Sequence, residues 1–199
     1  CCDKIFKSGK RAYKIDECRL MKKTPDSSPP FASTKNVGMS NEEPEKMVND
    51  RIVVKAIEPK DEEAWNKLWK EYQGFQKTVM PPEVATTTFA RFIDPTVKLW
   101  GALAFDTETG DAIGFAHYLN HLTSWHVEEV VYMNDLYVTE RARVKGVGRK
   151  LIEFVYSRAD ELGTPAVYWV TDHYNHRAQL LYTKVAYKTD KVLYKRNGY

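Results

Sequence analysis

From residue 51 onward, apolar positions recur with two different periods. Ile52-Val53-Val54-Lys55-Ala56-Ile57 is a short β-rich run. Trp65, Leu68, Trp69 and Tyr72 then repeat at helical spacing behind Asp61, a residue suited to an N-cap, which predicts a helix through about Gln76. Pro81-Pro82 interrupts the chain, and a second helix is predicted over Glu83–Ile93, ending ahead of Pro95. Strands are predicted over Val97–Phe105 and Ala112–Leu119, joined by Asp106–Asp111 (DTETGD), a hairpin signal. A loop with His121, Ser124 and His126 leads into a strand over Val130–Val138. Leu151, Val155, Ala159 and Leu162 mark one face of the next helix, which stops at Gly163 with Pro165 beyond. A strand Ala166–Thr171, a short helix Asn175–Lys184 and a last strand Val192–Arg196 complete the order β-α-α-β-β-β-α-β-α-β. That order describes an α/β chain, a mixed sheet with helices on its faces.

Residues 1–50 lack any such period. Lys22–Pro30 (KKTPDSSPP) is Pro/Ser-rich and Asn41–Lys46 (NEEPEK) is charged, so this stretch reads as a disordered tail ahead of one domain over 51–199. The chain opens on Cys, and Met21 and Met39 make residues 1–20 a candidate upstream extension. The net charge is +3, unevenly spread: residues 1–23 hold eight Lys/Arg against three acids, and residues 51–199 hold twenty against nineteen. A nearly neutral body argues against a duplex nucleic-acid partner. No apolar run reaches the roughly 18–20 residues of a membrane helix, which argues against a membrane partner. Cys1, Cys2 and Cys18 all lie in the tail, so the body has neither a disulfide framework nor a cysteine nucleophile, as expected of a reducing, intracellular setting.

Chemistry concentrates in Arg143-Val144-Lys145-Gly146-Val147-Gly148-Arg149-Lys150, between the predicted strand and helix. Glycines at such a turn let backbone approach a ligand. The helix start offers unpaired N–H groups to an anion, and four cations surround it. This is a seat for a pyrophosphate. A dinucleotide fingerprint would need Gly at Leu151 and a place after the first strand; a P-loop would need Ser or Thr after Gly-Lys. Neither spacing is met. His117, His121, His126, His173 and His176 form no HExxH and have no cysteine near, so no metal is expected.

The pattern Arg-x-x-Gly-x-Gly after a strand, followed by Asn175-x-x-Ala178-x-x-Leu181-Tyr182 on the next helix, resembles the GNAT superfamily of N-acetyltransferases. The resemblance covers roughly 51–199. It implies the acyl-CoA N-acyltransferase fold and acetyl-CoA as co-substrate. Met133–Val138 and Val167–Asp172, with the run to Tyr199, resemble most a fungal subgroup. Its members acetylate free amino acids, D-amino acids included, and in some cases histones or other proteins.

Residue by residue, the resemblance implies the following roles. Arg143, Val144, Lys145, Gly146, Val147, Gly148, Arg149 and Lys150 hold the pyrophosphate. The backbone of Leu136, Tyr137 and Val138 holds the pantetheine and thioester, with the Val138 N–H as oxyanion donor. Asn175 bonds the cofactor or caps its helix. Tyr182 protonates the leaving thiolate, a phenol of pKa about 10 facing a thiol of about 8.5. Polyamine-acetylating relatives carry Glu where this chain has Asn134, which cannot take a proton. Asp135 is the candidate base, although strand alternation points it to the other face unless a bulge or a water intervenes; Glu128 and Glu129 are alternatives. Ala186 stands where many relatives have Gly.

Without a cysteine, and with only Ser124 and Ser157 in the body, direct attack of an amine on acetyl-CoA is preferred over a covalent route. The α-amine of a free amino acid is the expected acceptor, with Arg91 or Lys98 as carboxylate partners. Protein lysines such as histone tails, polyamines, and a non-catalytic CoA-binding module are the rivals. Pairing through the C-terminal strand would give a homodimer or higher homo-oligomer. Cytoplasm, with nucleus, is the compartment expected.

Overall fold

A computed structural model describes residues 51–164 and 166–196; the tail predicted over 1–50 lies outside the described residues. Strand β1 (Ile52–Ala56) is followed by a 3-10 turn at Pro59–Asp61, helix α1 (Glu62–Phe75) and helix α2 (Pro82–Ile93). Strands β2 (Leu99–Asp106), β3 (Ala112–His121) and β4 (Val130–Val138) come next. After a 3-10 turn at Glu140–Ala142 come helix α3 (Val147–Glu161), strand β5 (Val167–Tyr168) and helix α4 (His176–Val185). The five strands lie in sequential order. β1 through β4 are antiparallel, and β5 runs parallel to β4 after the α3 crossover. No described helix is long and apolar enough to cross a membrane.

Each face of the sheet buries its own core. Trp65, Leu68 and Trp69, the predicted stripe of α1, pack with Phe89 and Phe92 of α2 against Leu103, Phe115 and Tyr137. On the other face Leu151, Ile152, Val155 and Ala159 of α3 pack on Ala102, Ala104, Tyr118, Val131 and Met133, with Leu181 and Tyr182 of α4 at the margin. Burying one such side chain contributes about 1.5–3 kcal/mol, so the two cores together fix how the strands are aimed.

Three expectations are corrected. Helix α3 starts at Val147, four residues before Leu151, because Gly146 adopts φ 84° and ends the preceding loop in a left-handed turn. The strand expected over Ala166–Thr171 shortens to Val167–Tyr168, because only these residues pair with β4. Residues 192–196 form no strand: Val192, Leu193 and Tyr194 are exposed and join no ladder among the described residues. A smaller difference concerns Asp61. It sits at the N-cap of α1 but its carboxylate turns back, accepting from the Glu58 N–H at 3.0 Å and pairing with Lys55 at 3.3 Å.

Candidate active site

β4 carries one extra residue. His117 lies opposite Asp135 and Tyr118 opposite Met133, so Asn134 is a bulge without a partner on β3. A bulge resets the alternation of a strand. Val131 and Met133 enter the α3 core, whereas Asp135 reaches His117 and Tyr72 and Tyr137 enters the α1/α2 core. The bulge is thus what swings Asp135 onto the α1 side, against plain alternation.

Asp135 is held from three directions. Its Oδ2 lies 3.0 Å from His117 Nδ1 and accepts from Asn134 Nδ2 at 2.8 Å. Its Oδ1 accepts from the Tyr72 hydroxyl at 2.9 Å. Behind it, Trp65 Nε1 donates to His117 Nε2 at 2.8 Å, with His117 only 2 % exposed. An indole N–H can only donate, so Nε2 accepts and the His117 proton sits on Nδ1, aimed at Asp135. Burial pushes the Asp135 carboxyl up, but the His117, Asn134 and Tyr72 hydrogen bonds outweigh it and hold the group below the usual carboxylate range. Burial and the adjacent Asp135 charge push the Tyr72 phenol well above its ordinary value, and the nearby Tyr182 adds to this. Burial also raises the Tyr182 phenol, so it stays protonated through the neutral range.

The other edge of β4 is open. Thr139 N–H donates to Ile113 at 3.0 Å, and by the register Tyr137 bonds toward β3 in the same way. Alternation in an antiparallel ladder then turns the N–H and C=O of Leu136 and Val138 toward the β5 side. There β5 pairs with β4 only at Val131 and Tyr132. Beyond Asn134 the two strands fork, and no strand among the described residues covers that edge. The Val138 carbonyl accepts from Arg143 Nε at 3.2 Å. The expectation for Tyr137 is corrected: its backbone serves β3, while its hydroxyl donates to Glu71 at 3.3 Å.

The fork ends at the first turn of α3. Lys150 N–H is bonded to Gly146 C=O at 3.1 Å. The N–H groups of Val147, Gly148 and Arg149 therefore precede the first helical bond and point out of the helix end. The two glycines do different jobs. Gly146 supplies the left-handed turn. A Cβ on Gly148 would meet Leu181 Cδ2 at 3.1 Å, so this glycine lets α4 pack against α3. Val144 also has a positive φ, 66°, and is exposed, a strained conformation for a β-branched residue. Lys145 and Arg149 are exposed, the Arg143 guanidinium lies 5.1 Å from the Phe75 ring centre, and Lys150 Nζ donates to Ile52 C=O at 2.7 Å. Asn175 caps α4, accepting from Ala178 N–H at 3.4 Å. Ala186 is extended, φ −148°, so its departure from Gly brings no strain there.

Tyr182 thus lies at the margin of the α3 core and Asp135 on the α1 side, and Tyr72, bonded to Asp135, is close enough to Tyr182 to feel its charge. Sequence reasoning missed His117, Trp65 and Tyr72 as site residues. The one available signal was a histidine inside an otherwise apolar strand. Of the expected carboxylate partners, Lys98 is paired with Glu129, and Arg91 is exposed on α2. Among the described residues no group of three His, Cys, Asp or Glu is placed to hold a metal.

Comparison with known proteins places this geometry. The profile described as Acetyltransferase (GNAT) family matches residues 62–187. The chain is 31% identical over 83 residues to the uncharacterized N-acetyltransferase YhfO of Bacillus subtilis (strain 168), a match that spans 42% of this chain and 56% of that relative, little more than half its length. The fold is similar to the aminoglycoside N-acetyltransferase AAC(6')-Iy solved in complex with CoA, at TM-score 0.64 and 19% identity over 74% of this chain and 95% of that one. It is similar also to a ribosomal-protein-alanine N-acetyltransferase from Brucella melitensis biovar Abortus 2308, at TM-score 0.61 and 16% identity over 73% and 98%. Such identities establish the fold alone. The fungal amino-acid subgroup finds no support among these relatives.

Proposed function

We propose, from the premise that this chain belongs to the acetyltransferase (GNAT) family, that it moves the acetyl group of acetyl-CoA directly onto a primary amine. One observation carries the reading. The open edge of β4 at Leu136 and Val138 runs to the unpaired N–H groups at the start of α3, a continuous row of donors for an extended pantetheine ending in a pyrophosphate. In this reading Gly146 through Arg149 hold the pyrophosphate by backbone, with Arg143, Lys145 and Lys150 adding charge, and the Val138 N–H meets the developing oxyanion.

An amine that arrives protonated first gives a proton to solvent; its nitrogen then forms a bond to the acetyl carbon, the C–S bond breaks, the thiolate takes the Tyr182 proton, and the surplus proton on the new amide nitrogen leaves to solvent, which reprotonates the Tyr182 phenolate. Tyr182 is protonated through the neutral range and so holds a proton that the leaving thiolate can take. Asp135, with three hydrogen bonds already donated to it, serves as a fixed negative charge beside the acceptor rather than as a proton sink. Acetylation of free amino acids, D-amino acids included, remains the narrower reading of the sequence pattern, but Lys98, its carboxylate partner, is taken by Glu129.

The test is calorimetry with acetyl-CoA alongside thiol release with amines. Gly146→Glu should abolish acetyl-CoA binding, and Tyr182→Phe should bind normally yet lose turnover. Retained binding in the first variant, or unchanged turnover across pH in the second, removes the assignment.

A further inference from the structure

We infer that the acceptor is a small primary amine without a carboxylate beside its nitrogen, bound as its cation between Asp135 and a wall of tyrosine rings; this rests on the acetyltransferase reading above. The wall stands on the α1 side of the fork. Tyr132 and Tyr168 lie side by side across the last paired rung of β4 and β5, ring centres 5.0 Å apart, with Tyr168 46% exposed. Tyr72 of α1 reaches the same Asp135 through its hydroxyl. Such rings attract an ammonium group through their faces.

Asp135 Oδ1 accepts only from Tyr72 among the described residues, so a lone pair is left for a donor from the ligand. Asn134, which gives its N–H to Asp135, keeps its carbonyl oxygen as a second acceptor on the exposed bulge. The bound group is therefore offered a negative charge and acceptor oxygens, which suits an ammonium ion and repels a carboxylate.

Two basic side chains nearby are already engaged. His121 Nδ1 donates to Leu122 C=O at 2.8 Å and its Nε2 lies 2.8 Å from the Tyr168 hydroxyl, so both ring nitrogens are already engaged. Lys98 is bound to Glu129. An α-amino acid would place its carboxylate two bonds from the reacting nitrogen, against the like charge of Asp135.

The experiment uses matched pairs: tyramine against D- and L-tyrosine, and cadaverine against D- and L-lysine. The full chain is supplied with acetyl-CoA, thiol release is followed, and an internal-lysine peptide serves as a further arm. The carboxylate-free member of each pair should show at least tenfold higher kcat/KM. Asp135→Asn should lower kcat/KM for that amine at least tenfold, mainly through KM, with acetyl-CoA affinity unchanged by calorimetry. Equal or better use of an amino acid, tenfold preference for the peptide, or an amine KM unmoved in Asp135→Asn each overturns the inference. Acetyl-CoA binding without turnover of any amine overturns it alone; absence of both binding and turnover removes the acetyltransferase reading as well. The wild-type comparison of pairs decides the matter even where the variant does not fold.

Discussion

Trp65 and Trp69 lie one turn apart on α1, rings stacked with centres 5.5 Å apart, yet the same substitution should affect them differently. Trp65 Nε1 donates to His117, whereas Trp69 Nε1 is buried with no partner among the described residues. Either Trp→Phe change removes three buried heavy atoms, costing about 2 kcal/mol at about 0.8 kcal/mol per methylene-sized group. Trp65→Phe also strands the buried His117 Nε2, a further cost of about 1–3 kcal/mol. Trp69→Phe instead removes an unsatisfied donor and recovers about 1–3 kcal/mol. The expected losses are thus about 3–5 kcal/mol for Trp65→Phe and near zero for Trp69→Phe. In a domain of this size the gap corresponds to about 10 °C in Tm. Urea denaturation of both variants, with matched m-values, measures it. Equal destabilisation would refute the assignment of the Trp65–His117 hydrogen bond.

The remaining predictions concern the loop and the carboxylate. Val144→Gly should stabilise the fold by about 1 kcal/mol, since φ 66° costs a β-branched residue more than glycine's added chain entropy; a lower Tm would contradict that backbone. The Asp135 carboxyl lies below its ordinary value in the fold, so on acidification the unfolded chain takes up its proton first. Its stabilising effect is therefore complete above pH about 4 and is lost as pH falls through the folded value. Asp135→Asn should flatten the acid limb of the stability curve, and an unchanged slope would contradict the lowered value. Gly148→Ala should loosen α4 through the 3.1 Å approach to Leu181, and unchanged hydrogen-exchange protection across α4 would count against that packing.

Much of the fold was legible because its periods are local. The stripe Trp65, Leu68, Trp69, Tyr72 and the run Val130–Val138 appear where the pattern placed them. The start of α3 was misplaced because Gly148, Arg149 and Lys150 break the apolar spacing; Val147, buried four residues before Leu151, was the available clue. The full length 166–171 and residues 192–196 read as strands from composition, but strand formation requires a partner, which only Val167 and Tyr168 find on β4. The anion-binding turn was visible for a similar reason: its signal is contiguous. The Asp135 environment was not, because Trp65, Tyr72, His117 and Asp135 come from three elements and meet only when α1 packs over the β3–β4 bulge.

That bulge amounts to a half-period phase slip written into one strand. Upstream of Asn134 the odd-numbered residues of β4 belong to the α3 core; downstream they belong to the α1 side. Deleting Asn134 would remove no charge, ring or glycine of the site. It would leave Met133 followed directly by Asp135, a regular strand with Asp135 still opposite His117; a slip that paired Asn134 with His117 is what would send Asp135 and Tyr137 into the apolar layer under α3. The whole partition between catalytic surface and oil thus hangs on where one strand absorbs its extra residue, so a register slip that pairs Asn134 and expels the bulge would keep every motif and forfeit the site.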